Sequence, residues 1–366
     1  MSPRSFAILL AATALSVGLA GWSLAERQVP AASQAVDRPL FPDLALRLPE
    51  VVAIQVVGED GTTTIRKDGE VWHVVERGGY PADPAKVREV ARALAGLQLV
   101  ETKTADADRL ARLELEDPGG KAKSRQVTLE GADGKPIASA ILGKAKYGLY
   151  GGGRGGVYVR RAGEPQSWLA AGEVELPKGQ MAWIDNDVLS LPEKDIVRVV
   201  LGEGAADPIT ITRPDPDAGT LAVDGLAEGQ KADQEVLARI ASVLDNLSMT
   251  EVRKAAAPMP ADAPRARFET RDGIVVTVAS TVEGEADKEV HWLAFQVGEG
   301  QPAAAAVPEA KPEGEAKPAE AAKPLAERVA ELKRRLEGWE FQIPNYVAER
   351  LTYGRDKLLA KPEGAS

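Results

Sequence analysis

The chain has 366 residues, which at about 150 residues per domain makes two to three folded units with sizeable cores. Its 44% hydrophobic and 27% charged residues exclude wholesale disorder, a collagen-like chain and a polytopic membrane protein. A formal net charge of −10 leaves no global positive field to gather nucleic acid. With no cysteine and two histidines, the chain has no disulfide, thiolate metal site, cysteine nucleophile or acylated-cysteine anchor.

From Phe6 to Ala25 the sequence is apolar and uncharged, with Arg4 ahead of it and Glu26 and Arg27 behind. At about 1.5 Å rise per residue such a stretch spans roughly 30 Å, the thickness of a bilayer's hydrocarbon. It predicts one N-terminal transmembrane helix, with residues 1–27 as membrane anchor or signal. The leading arginine keeps the N-terminus cytoplasmic and sends the bulk of the chain across the inner (cytoplasmic) membrane. Ser23-Leu24-Ala25 offers the alternative, cleavage near Ala25 and release into the periplasm. Residues 28–45, with Pro and little periodicity, read as a stalk.

An internal repeat follows. Leu48-Pro49-Glu50 recurs as Leu191-Pro192-Glu193. After the first, strands over 54–57, 62–67 and 70–76 are separated by turns at Asp60-Gly61 and Asp68-Gly69. Asp83 then caps a helix opened by Pro84, with Val87, Val90, Ala91, Leu94 and Leu97 on one face and a strand beyond it. After the second, strands over 197–201 and 209–213 lead to a helix capped by Asp233, whose apolar face is Leu237, Ile240, Leu244 and Leu247. Strands at 126–129, 137–142 and 157–159 have looser counterparts at 267–270, 274–278 and 290–293. Between Gly298 and Pro324 lies a Pro/Ala/Glu/Lys-rich tract that buries too little to order itself. A helix over 325–336, a strand over 339–343 and an amphipathic helix bearing Tyr346, Val347 and Leu351 close the chain. The pattern predicts an α+β fold of two tandem related units, 46–190 and 191–360, with a tail at 361–366. Each is an antiparallel sheet with helices packed on one face.

Little in the sequence singles out chemistry. Gly151, Gly153 and Gly156 satisfy G-x-G-x-x-G, but the residues after them read as a strand, so the helix whose N-terminus would hold a pyrophosphate is missing. Gly143-Lys144 is followed by Ala145, not Ser or Thr, so there is no phosphate loop and no nucleotide is expected. His73 and His291 sit inside strand patterns in separate repeats, too few for a metal site. Asp185-Asn186-Asp187 reads as the cap of a short helix through Leu189 rather than a calcium loop. No acid pair and no G-x-S-x-G is singled out. What remains is a surface: Tyr147, Leu149, Tyr150 and Arg154 form an aromatic and basic hairpin able to meet a partner.

The N-terminal span, Gly79-Tyr80-Pro81-Ala82-Asp83 leading into Lys86-Val87, Leu99-Val100-Glu101 and Arg109-Leu110-Ala111 carry a family likeness. So do Val157-Tyr158-Val159-Arg160, Trp168-Leu169 and Trp183-Ile184-Asp185. With these the chain resembles domain-of-unknown-function family 4340. The resemblance implies a membrane-tethered extracytoplasmic protein, often encoded beside ABC-2-type exporters with a gliding-motility-associated accessory subunit. It thus implies a non-catalytic accessory or scaffold of an ABC-type transport complex, with transporter subunits as partners and no cofactor or metal. The alternatives are a periplasmic binding module for a polysaccharide, lipid or peptide in a cleft between the repeats, and a glycan hydrolase.

Overall fold

A computed structural model describes residues 35–149, 154–215, 219–257, 262–285, 288–301 and 323–360. The apolar run Phe6–Ala25 and the tail 361–366 lie outside the described residues, and so does most of the Pro/Ala/Glu/Lys tract. Among the described residues no helix is long and apolar enough to cross a membrane. The chain divides into two compact units, Met1–Val75 with Pro81–Gly179, and Glu76–Tyr80 with Gln180–Ser366.

The first unit is built on a sheet of β1 (Ala35–Pro39), β2 (Val51–Gly58), β3 (Gly61–Asp68), β4 (Val71–Val74), β5 (Tyr80–Pro81, whose Tyr80 groups with the second unit), β6 (Gln98–Thr102), β7 (Arg125–Gly131), β8 (Pro136–Leu149), β9 (Arg154–Arg161) and β10 (Ser167–Ala171). Their order in space is β1-β6-β10-β9-β8-β7-β2-β3-β4-β5. Asp68-Gly69 turns β3 into β4 with Gly69 at φ +57°, a conformation that glycine reaches without a Cβ penalty. Between β4 and β6, which lie toward opposite ends of the sheet, runs the helix Pro84–Ala95. The Asp83 carboxylate accepts from the Ala85 amide at 2.8 Å, Pro84 needs no donor at the first position, and Val87, Val90 and Leu94 are buried. Each such fully buried aliphatic side chain contributes about 1.5–3 kcal/mol.

The stalk expected over 28–45 gives way at Ala35. Residues 35–39 pair antiparallel with β6, and Leu40 and Leu44, at 0% and 2% exposure, belong to the core. A single polar-looking strand has no periodicity to announce it, because its pairing partner is about 60 residues away.

The second unit contains β11 (Asp187–Leu189), β12 (Ile196–Leu201), β13 (Ile209–Thr212), β14 (Ala222–Val223), β15 (Leu247–Ser248), β16 (Glu251–Lys254), β17 (Arg265–Thr270), β18 (Ile274–Glu283), β19 (Val290–Glu299) and β20 (Trp339–Ile343). Eight of them form one sheet in the order β14-β13-β12-β17-β18-β19-β20-β16, and β11 pairs with β15 apart from it. Its helices are Gln234–Ala241, capped by Asp233 on the Glu235 and Val236 amides, Leu325–Leu336 and the single turn Asn345–Ala348. Phe268, Phe295, Phe341, Leu237 and Ile240 fill the core. Set beside the first sheet without β1 and β5, the strands stack in the same order: β4-β3-β2-β7-β8-β9-β10-β6. In both, the helix precedes the strand that returns to the far end.

Several expectations need correction. The boundary falls at Gly179, not 190, and Glu76–Tyr80 belongs with the second unit. There Tyr80 meets Trp339 edge-on at 4.9 Å between ring centroids and Phe341 at 6.0 Å, and burial pushes its phenol above the ordinary value. Asp185 does not cap a helix through Leu189. Residues 187–189 are β11, and the Asp185 carboxylate accepts from the Asp187 amide at 3.1 Å in a turn. Gly298 and Glu299 close β19 instead of opening the tract, and Pro324 is the cap of the helix that follows it. Tyr346 is 65% exposed, not on the buried face, which Ala348 and Leu351 of the same helical segment supply instead.

Buried arginines lock the loops onto these sheets. Arg160 is 4% exposed; its Nε donates to the Leu115 carbonyl at 2.6 Å, Nη1 to the Glu164 carbonyl at 3.2 Å and Nη2 to the Asp117 carboxylate. Its neighbour Arg161 points to the other face of β9, where Nε and Nη2 donate to the Leu40 carbonyl at 3.1 and 2.7 Å. In the second unit Arg213, 5% exposed, donates to the carbonyls of Ile196 and Glu193 and to the Glu193 carboxylate. The glutamate of the second Leu-Pro-Glu is therefore tied to a buried cation, whereas Glu50 of the first pairs with exposed Arg47. Truncating Arg160 leaves the carbonyl of the buried Leu115 without its donor, so Arg160→Ala should cost about 3 kcal/mol. Urea unfolding of the full chain in detergent reads this as a lower midpoint at unchanged slope; a midpoint like the parent's contradicts the assignment.

Candidate functional site

The long hairpin of β8 and β9 was the one surface singled out by sequence, and its described end borders an open cleft. The cleft is about 250 Å³ and is lined by Lys123, Arg125, Lys146, Tyr147, Glu173 and Glu175 among others. Close approach shapes it. A Cβ at Gly143 would collide with the Leu113 carbonyl oxygen, and there the β8–β9 register shifts. Gly155 and Gly156 leave room for the Glu173 side chain and for Leu149. Of the glycines that spell G-x-G-x-x-G, Gly151 and Gly153 lie outside the described residues, and Gly156 lies within β9, where its missing Cβ makes room for Leu149.

Of the four hairpin residues proposed from sequence, Tyr147 is 86% exposed at the rim of the cleft. Leu149 is not part of the surface: it is buried over Gly156, because the register shift between Lys146 and Leu149 turns it inward. Tyr150 and the Arg154 side chain lie outside the described residues. Sequence reasoning missed Lys123, Arg125, Glu173 and Glu175. Arg125 Nη1 and Nη2 each donate at 2.5 Å, to the carbonyls of Leu176 and Pro177, and fasten the acidic segment to the sheet. Burial pulls the Arg125 guanidinium below its ordinary value against the field of Asp60. Exposed lysines, exposed glutamates and an aromatic ring around a shallow cleft can form ion pairs of both signs with a polypeptide.

His73 lies in β4 opposite Arg66, and His291 is buried in β19. Among the described residues no group of three or more His, Asp and Glu is arranged to hold a metal. In the second unit Arg253 joins two carboxylates and an aromatic ring. Its Nε donates to Glu340 at 2.6 Å and Nη1 to Glu283 at 2.9 Å, with the guanidinium 3.9 Å from the Trp292 ring centroid. The hydrogen bond from Arg253 holds the Glu283 carboxyl below the usual range, the opposite of what a general acid requires. These groups form a ladder across β16, β20, β19 and β18 that stitches strands together.

A family model described as Domain of unknown function (DUF4340) matches residues 72–264. No curated protein matches the chain, and no solved structure does.

The cleft sets up a comparison within one hairpin. Gly143→Ala must displace a carbonyl and should lower stability by about 1–3 kcal/mol, while Tyr147→Ala should leave the thermal midpoint where it is. Circular dichroism melts of the two variants check this; equal effects contradict the geometry.

Proposed function

The chain belongs to the DUF4340 family, and we propose that it is a non-catalytic, membrane-tethered extracytoplasmic accessory or scaffold of an ABC-type transport complex. The observation that carries this reading is the uncharged run Phe6–Ala25 behind Arg4, ahead of two sheet-rich units. Only residues 26–34 separate that run from β1, and at 3.3–3.6 Å per residue they reach no more than about 32 Å. A span through Phe6–Ala25 therefore holds the first unit close to the inner membrane, with Tyr147 and the mixed-charge cleft available to a membrane partner. Confinement to a thin layer raises effective concentration, so a modest interface suffices.

We further propose that the two units are related by duplication. The common stacking order of eight strands and the matching Asp-capped helices support it, as does the recurrence of Leu-Pro-Glu, which forms a 3-10 turn in the first unit and leads with its Glu into one in the second. A second functional reading, a binding module for a polysaccharide, lipid or peptide, draws on the open cleft at Tyr147.

Gentle detergent extraction followed by pull-down of the tagged chain should recover an integral membrane transporter or its accessory subunit. Replacing residues 1–25 with a cleaved export signal should weaken that recovery. Turnover of a glycan or peptide by the purified chain, or no co-purifying membrane protein after crosslinking, contradicts the accessory role.

A further inference from the structure

We infer that the second unit carries a binding groove for a neutral pyranose ring of an oligosaccharide, formed where the turn at Asp245-Asn246 faces the helix Asn345–Ala348 and its continuation. The groove is about 270 Å³. It lies in the second unit, whereas the mixed-charge cleft at Tyr147 belongs to the first.

One wall is aromatic and cationic. Tyr346 is among the few large apolar side chains left exposed. Arg350, four residues on, keeps its guanidinium 5.7 Å from the Tyr346 ring centroid and is steadied by donating from Nη1 to the Arg239 carbonyl at 3.3 Å. The other wall is a fixed acid and amide. Ser190 Oγ donates to Asp245 Oδ1 at 3.1 Å and Asn246 Nδ2 donates to the same oxygen at 3.0 Å, so the carboxylate is oriented while its second oxygen takes neither bond. Asn246 sits at φ +51°, a left-handed conformation that asparagine tolerates better than most residues, and its backbone amide donates to Ser190 Oγ at 3.2 Å. Ser190 thus sets both residues of the turn.

These groups match a sugar ring. A pyranose has apolar C–H faces, which pack on an exposed aromatic ring, and hydroxyls that both donate and accept. Asp245 accepts from them, while Asn246 and Arg350 offer donors. One carboxylate and one guanidinium cancel in formal charge, which suits a neutral sugar better than a phosphate or a polyanion. The groove is open on one side, so a ring within a longer glycan can lie in it.

The test uses the full chain in a phosphocholine detergent, which has no sugar headgroup to compete, titrated calorimetrically with the neutral tetrasaccharides maltotetraose, cellotetraose and tetra-N-acetylchitotetraose. At least one should bind saturably. Tyr346→Ala and Asp245→Ala should weaken it by about tenfold or more, and Tyr346→Phe should retain it, with thermal midpoints of the Tyr346 variants unchanged because the side chain is exposed. Should Asp245→Ala unfold, Arg350→Gln serves as the second variant. No saturable binding by any of the three, or parental affinity in Tyr346→Ala, overturns the proposal. Recovery of membrane partners in the pull-down reads a separate property, so failure of one reading leaves the other standing.

Discussion

Two adjacent arginines at the end of β9 tie the first unit together. Successive residues of a strand face opposite sides of the sheet, so Arg160 and Arg161 reach different loops. Arg160 fixes the segment through Leu115 and Asp117 on one side. On the other, Arg161 fixes the Leu40 carbonyl, immediately after β1. A guanidinium suits the task because its donors form a rigid fork and it stays charged at any physiological pH. Burying it is costly unless its donors are taken, and here carbonyl and carboxylate oxygens take them. Arg213 does the same in the second unit with Glu193 and Ile196. Interior charge is thus committed to holding loops, while Tyr147 in one unit and Tyr346 in the other are left exposed.

Much of this architecture was legible. Asp-Gly turns, period-two strands and the caps Asp83 and Asp233 are local signals, and local signals survive folding when the packing around them agrees. The illegible parts are non-local. Nothing within Ala35–Pro39 says that it pairs with β6, and nothing in Glu76–Tyr80 says that it belongs with the second unit. Alternation tells which residues share a face but not which face is inside, so Leu149 looked like a surface residue until a register shift turned it inward. Tyr346 was grouped with Val347 and Leu351 on one apolar face, but only Leu351 of the three is buried. Tyr147, expected on an aromatic and basic hairpin, is exposed. Its neighbours in the cleft come from segments about 20–30 residues away on either side, joined by Arg125 through main-chain carbonyls that carry no sequence signature.

The same locking bears on how a tether would act. Because β1 is laddered to β6 and Leu40 is both buried and gripped by Arg161, the first unit is fixed to its sheet from β1 onward. A domain held in this way has a restricted choice of surfaces to offer a membrane complex. The hairpin end at Tyr147 combines exposure, aromatic character and both signs of charge at one place, which a flexible stalk would not make necessary but a short one rewards.

The most direct measurement places a photo-crosslinking amino acid at position 147 of the full chain, expressed in cells, and irradiates intact membranes. The account predicts that the chain stays with the washed membrane fraction and forms an adduct with an integral membrane protein of a transport complex. A chain recovered as a shortened form free of the membrane, with no adduct from position 147, would contradict it.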